Sequence, residues 1–192
     1  MGTRGIFGVR INGKDKITYN HFDSDPNWLG KCVVSDIRDV ILPELDKYKQ
    51  LAEAVELVSQ SKHATKAEIE KYNITTKPDL GVSEQSEDDW YCILRELQGC
   101  IAGSLQAGVM IDSHKFVKDS LFCEYGYMIN FDENTFEVYE GFQKKKIKNG
   151  GRYHTKNSKS DEGYYPIALV TTFPLNDIPE DWIKQAFPKE EE

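Results

Sequence analysis

The sequence predicts a single α+β domain spanning residues 1–192, in which an antiparallel β-sheet is covered by helices. Three observations lead there. Pairs of alternating apolar runs flank turn residues near both ends of the chain: GIFGVRI and KITYNHF around NGKD, then LFCEYGYMINFD and TFEVYEGF around DEN. Between them, apolar positions recur at helical spacing. The 192 residues suit one substantial core, with no repeat at a period of about 20–50 residues.

In the first hairpin, a loop at Gly13–Asp15 would set Phe7 opposite His21, Val9 opposite Tyr19 and Ile11 opposite Ile17. A two-residue loop at Asn12-Gly13 would instead oppose Val9 to Lys16 and mix the faces. Because a slip of one residue reverses every side chain, the first register is expected. It carries Thr3 and Arg4 alongside Ser24 and Asp25. Asp25-Pro26 then reads as a helix cap with proline at the first helical position. Trp28, Leu29, Cys32, Val33, Ile37, Val40 and Ile41 mark a buried stripe, and Pro43 breaks or restarts the helix. Leu45, Tyr48, Leu51, Ala52, Val55 and Val58 extend it.

Thr65-x-x-Glu68 is a capping box opening a short helix to about Tyr72. Residues 73–85 form a polar loop. A longer helix is expected from about Glu87 to Gln106, with Gly99 and Gly103 allowing close packing. After the second hairpin comes an exposed basic loop, KKKIKNGGRYHTKNSK. GYYPIALVTTF reads as a strand and DIPEDWIKQAF as a short helix. Residues 186–192 are expected to be a frayed tail.

Composition narrows the function classes. The net charge of −8 argues against general nucleic-acid binding, which needs clustered Lys and Arg. The basic run at 144–159 is the local exception and suits an anionic ligand. No apolar run reaches the roughly 20 residues of a membrane span. No signal-peptide pattern opens the chain, and Ile6 sits where myristoylation wants Ser or Thr. A cytoplasmic protein is the expectation. Four cysteines, Cys32, Cys92, Cys100 and Cys123, lack zinc-finger or C-x-x-C spacing and read as buried free thiols. No cofactor is implied.

The opening MGTRGIFGVRINGKDKITYNHFDSDPNWLG resembles a family of small, mostly uncharacterised bacterial and phage proteins that start M-G-T-R-G. CEYGYMINFDENTFEVYEGFQ is similar to that family's second signature. The resemblance covers about a quarter of the chain and implies no defined activity. The element order also resembles the four-layer α/β/β/α sandwich of N-terminal nucleophile hydrolases. That resemblance implies a Cys, Ser or Thr at the mature terminus, whereas residue 2 here is Gly. Thr3 would serve only after a second cleavage.

Eight residues are candidates for ligand binding: Thr3, Arg4, His21, Asp23, Glu124, Tyr127, Arg152 and His154. His21-x-Asp23-x-Asp25 is a poor metal site. Alternate strand side chains stand about 6.6 Å apart, while an ion needs donors at about 2–2.5 Å. Asp25 is better explained as a cap. His21 beside Asp23 suits acid–base work near neutral pH, but no activated nucleophile is visible. The bland reading gives His21 a hydrogen bond, Arg4 an ion pair with Asp23, and Arg152 and His154 places in a solvated loop. The leading expectation is a non-catalytic binding protein, such as a phage-encoded anti-defence or host-modulating factor. It would bind a host protein or sequester a small anionic or nucleotide ligand. The alternative is a hydrolase using the cleft at the chain terminus.

Overall fold

A computed structural model describes residues 2–81, 86–156 and 158–188. The fold is α+β. Its main sheet has five strands in the order β2-β1-β5-β6-β7: β1 (Gly5–Ile11), β2 (Lys14–Asn20), β5 (Tyr125–Asn130), β6 (Thr135–Glu140) and β7 (Ala168–Pro174). Three pairings are antiparallel, but β1 and β5 run parallel, so the sheet is mixed rather than antiparallel throughout. The helical block between β2 and β5 is the crossover that such a parallel pair requires. β3 (Glu56–Val58) and β4 (Val109–Ile111) form a separate two-stranded parallel sheet. The second sheet thus has only two short strands, and the structure does not show the four-layer sandwich that the element order resembles.

The first hairpin turns on Asn12-Gly13, with Val9 opposite Lys16 and Phe7 opposite Thr18, contrary to the expected register. Turn chemistry outweighs the matching of apolar faces. Asn12 and Gly13 have φ of 51° and 73°, the left-handed pair that gives a tight turn the right-handed twist of its strands. Lys16 tolerates its place opposite Val9 because its ammonium reaches out to the Glu53 and Val55 carbonyls, at 2.8 and 2.7 Å.

Asp25 caps the next segment as expected, its Oδ1 accepting from the Asn27 N–H at 2.9 Å. The segment is a π-helical turn over Pro26–Gly30, then α1 (Lys31–Ser35), then π-helical Asp36–Ile41. Wider turns shift the periodicity, and Trp28 and Cys32 face solvent rather than the core. After a 3-10 turn at Leu42–Glu44, α2 (Leu45–Ala54) ends before Val55, and Val58 belongs to β3. The Thr65 capping box opens α3 (Lys66–Lys71) with both reciprocal hydrogen bonds.

The expected long helix is broken into α4 (Trp90–Ile93), a 3-10 turn at Arg95–Leu97 and α5 (Ile101–Ala107). Gly99 is the break, with φ of 81°. The basic loop contains α6 (Gly151–Thr155), and α7 (Trp182–Ala186) closes the described chain. Residues 82–85 of the polar loop, Asn157 in the basic run and residues 189–192 of the tail lie outside the described residues.

Two apolar layers sandwich the main sheet. Phe7, Val9, Tyr127, Ile129, Phe136 and Val138 pack one face against the helical residues Val33, Ile37, Ile41, Tyr48, Leu105 and Trp182. Ile6, Ile17, Met128 and Tyr139 pack the other against Val117, Cys123, Tyr153 and Ile167. Trp90, Tyr91, Ile93 and Leu94 build a third cluster with Val109 and Ile111 of β4. Among the described residues, no helix is long and apolar enough to cross a membrane.

Candidate interaction surface

The register places Asn20, Gly5, Tyr125 and Glu140 in one row across four strands. The beginnings of β1 and β5 and the ends of β2 and β6 therefore meet at one end of the sheet, the Gly5 end. Arg4 leads into β1, Phe22 leaves β2, Phe122 approaches β5 and Phe142 leaves β6. Trp28 sits on the helical turn fed by the β2 exit loop. Phe22, Trp28, Phe122 and Phe142 are 50%, 64%, 41% and 51% exposed. Every exposed Phe, Tyr or Trp among the described residues is thus on segments converging at this end.

Arg4 and Glu124 are tied backbone to backbone and backbone to side chain. The Glu124 N–H donates to the Arg4 carbonyl at 2.9 Å, and the Arg4 N–H donates to Glu124 Oε1 at 3.2 Å. Thr3 meets Ser24, whose N–H donates to the Thr3 carbonyl at 3.1 Å. The contact expected from the sequence is present although the register that led to it is not. The chain reaches it through Asp23, whose φ is 52°.

The Arg4 guanidinium does not pair with Asp23. It lies over the Phe122 ring, 5.1 Å from the centroid, and makes no hydrogen bond or ion pair among the described residues. Arg95 lies 5.6 Å from the Phe22 centroid. It also donates to the Tyr91 hydroxyl and sits 3.4 Å from an Asp79 oxygen.

His21 shares Phe22 with Arg95. Its ring packs edge-on against Phe22, with centroids 4.2 Å apart. Its Nδ1 lies 2.6 Å from the Tyr19 hydroxyl, in hydrogen-bond contact. Its backbone N–H donates to Gln98 Oε1 at 3.3 Å. Partial burial lowers the His21 pKa, and the charges of Arg95 and Arg4 lower it further.

Around it the carboxylates are poorly matched. Glu140 has no side-chain partner among the described residues, and burial raises its pKa. Burial and nearby Glu162 raise that of Asp119, whose Oδ1 is buried without a hydrogen bond.

Three candidates from the sequence lie elsewhere. Tyr127 is wholly buried in the core, its hydroxyl donating to the Ser24 carbonyl at 3.1 Å. His154 is also wholly buried: Nδ1 lies 2.8 Å from the Pro166 carbonyl, and Nε2 accepts from the Ile147 N–H at 2.7 Å. Far from being solvated, it pins the basic loop to the fold.

Arg152 docks α6 on the sheet near its opposite, Asn12 end. Nε donates to Asp15 at 3.0 Å, Nη1 to Glu137 at 2.8 Å and Nη2 to the Tyr153 hydroxyl at 3.2 Å. Glu137 also accepts from Asn130 and Tyr139, and Asp15 from Arg10. Burial, reinforced by Glu137, raises the Tyr139 pKa and keeps the phenol a donor. These groups saturate one another.

Sequence reasoning missed Phe22, Trp28, Phe122, Phe142 and Arg95. Arg95 sits inside an apparently regular helix, and Trp28 sits on a stripe that predicts burial. Nothing local sets either apart. Among the described residues, no group of three or more His, Cys, Asp or Glu side chains is placed to hold a metal ion. Compared with protein-family models, curated proteins and solved structures, the chain matches none.

Proposed function

We propose that the protein is a non-catalytic binding protein that docks a partner protein on the Gly5 end of its sheet. The observation that supports this reading is the convergence of all four exposed aromatic residues there, beside two arginines. Aromatic residues and Arg are the types enriched at protein interfaces. The cavity lined by Tyr19, Tyr91 and Gln98 behind them holds only about 20 Å³. Small-molecule pockets run to about 300–1,000 Å³, so a protein surface suits this end better than a nucleotide.

Binding is also favoured over hydrolysis. Among the described residues, the histidine side chains bond to Tyr19, Asp88, Asp112 and backbone atoms, and none is hydrogen-bonded to a Ser, Thr or Cys side chain. The wider reading, a cytoplasmic host-modulating or anti-defence factor of phage or bacterial origin, draws its support from the M-G-T-R-G resemblance.

The test compares quantitative capture of a partner from bacterial lysate by the wild type and by Trp28→Ala/Phe142→Ala. Interface hot spots each contribute about 2 kcal/mol or more, so the double variant should lose the partner while its circular dichroism and melting are unchanged. Undiminished capture by the folded double variant would overturn the reading.

A further inference from the structure

We propose that Arg4, His21 and Arg95 form an anion-binding spot on this surface that receives a carboxylate side chain from an acidic segment of the partner. The inference rests on the partner-binding reading above and adds the chemistry of its contact. Arg4 presents its guanidinium beside the Phe122 ring with all its side-chain N–H donors unused among the described residues. Arg95 donates to Tyr91 and lies 3.4 Å from Asp79 with its side chain 15% exposed, and its guanidinium covers Phe22. His21 sits against Phe22 with Nδ1 taken by Tyr19, which leaves Nε2 as the ring nitrogen with no hydrogen bond among the described residues, a donor once the ring is protonated.

The groups that face His21 from the packed elements are Arg4, Tyr19, Phe22, Arg95 and Gln98, and those that act on it by charge are the two arginines. Uncommitted N–H donors beside exposed rings match a planar carboxylate, which guanidinium binds through paired hydrogen bonds. The chain's overall negative charge does not forbid this. At physiological salt, exposed charges are screened beyond about 8 Å, so distant acidic residues act weakly, while Asp79 at 3.4 Å offsets part of the Arg95 charge and leaves Arg4 as the main cation of the contact.

The imidazole signals of His21 report binding directly. The full chain is titrated with capped tetraglutamate, capped tetralysine and adenosine monophosphate while His21 is followed by NMR across pH. Tetraglutamate should perturb His21 saturably and raise its pKa, because a bound carboxylate offsets the two arginines. The effect should fade in high salt. Arg4→Gln should raise the pKa of unliganded His21 and weaken the peptide by about threefold, the scale of one exposed ion pair.

A stronger response to tetralysine, a selective response to the nucleotide, or no response to tetraglutamate would each overturn the proposal. Capture by Arg4→Gln separates the two readings. A variant that holds the partner as tightly as wild type removes the anion contact and leaves the aromatic surface standing. The surface falls only if Trp28→Ala/Phe142→Ala also captures normally.

Discussion

The two ends of the main sheet are built from similar residue types and are used differently. At the Asn12 end, Arg10, Asp15, Glu137 and Arg152 neutralise one another under α6. Asp132 accepts from the Asn12 and Gly13 N–H groups, locking the two hairpin turns together. At the Gly5 end, among the described residues, Arg4 makes no ion pair, the Glu140 carboxylate has no cation, and four aromatic rings are exposed. Among the described residues, four non-glycine residues are left-handed, two at each end, and Asp23 at the Gly5 end takes this conformation as readily as asparagine does. Asn12 and Asn134, at φ of 51° and 52°, are tight-turn asparagines that take this conformation readily. Phe142 holds φ of 55°, which a bulky side chain resists. It is held there because Gly141 passes so close to the Cys123 carbonyl that a Cβ would lie 2.1 Å from that oxygen. One end is spent on stability; the other carries uncompensated groups of the kind that bind.

The most severe way to break this contrast is Glu137→Ala. It leaves Asn130, the Tyr139 hydroxyl and Arg152 Nη1 without their shared acceptor, while Arg152 keeps Asp15. Removing one partner of a buried ion pair costs about 3–5 kcal/mol, which urea denaturation would show as a large drop in midpoint. A change below about 1 kcal/mol would mean that the Asn12 end is not the stabilising one.

Phe142→Gly tests the other end. Relief of the left-handed strain, of order 1–3 kcal/mol, should offset the lost packing of a half-exposed ring. The variant should melt at or above the wild-type temperature while losing partner capture. Clear destabilisation would show that Phe142 is a structural residue after all.

Glu140→Gln should act in the same direction with a smaller effect. The Glu140 pKa is raised by burial, so its contribution is present below the unfolded pKa and is lost as pH rises through the folded value. At neutral pH the charge is a burden, and the glutamine variant should unfold at higher urea. No gain at pH 7, or a gain that persists at pH 3, would contradict this.

The smallest expected effect belongs to His21. Its pKa is lowered, first by burial and then by Arg95 and Arg4. Its share of stability is therefore present above the unfolded pKa and lost as pH falls through the folded value. His21→Gln should flatten the stability profile slightly between about pH 5 and 7. An unchanged slope would mean that the arginines do not act on His21.

Local chemistry was readable along the chain. The Asp25-Pro26 cap, the Thr65–Glu68 capping box, both hairpins and the α+β class follow from residues within a few positions of one another. Four of the eight candidates, Thr3, Arg4, His21 and Glu124, gather at the Gly5 end, and Asp23 shapes the loop that brings them together. The hairpin register was also present locally, but in the turn dipeptide rather than the apolar pattern. Asn12-Gly13 decided it, and Lys16 adjusted.

Other features depended on partners far away in the chain. The parallel pairing of β1 with β5 joins Arg4 to Glu124 across 120 positions. Arg152 finds Asp15 across 137. β4 exists as a strand because β3 lies beside it, and Gly99 breaks a stretch whose apolar spacing alone suits one helix. Caps and turns close their own hydrogen bonds within about three or four residues, so sequence alone specifies them. Whether an arginine is saturated or free, or a tryptophan buried or exposed, depends on which distant strands and helices lie against it. For this chain, only the tertiary structure separates the arginine that holds the fold together, Arg152, from Arg4, whose guanidinium makes no hydrogen bond or ion pair among the described residues.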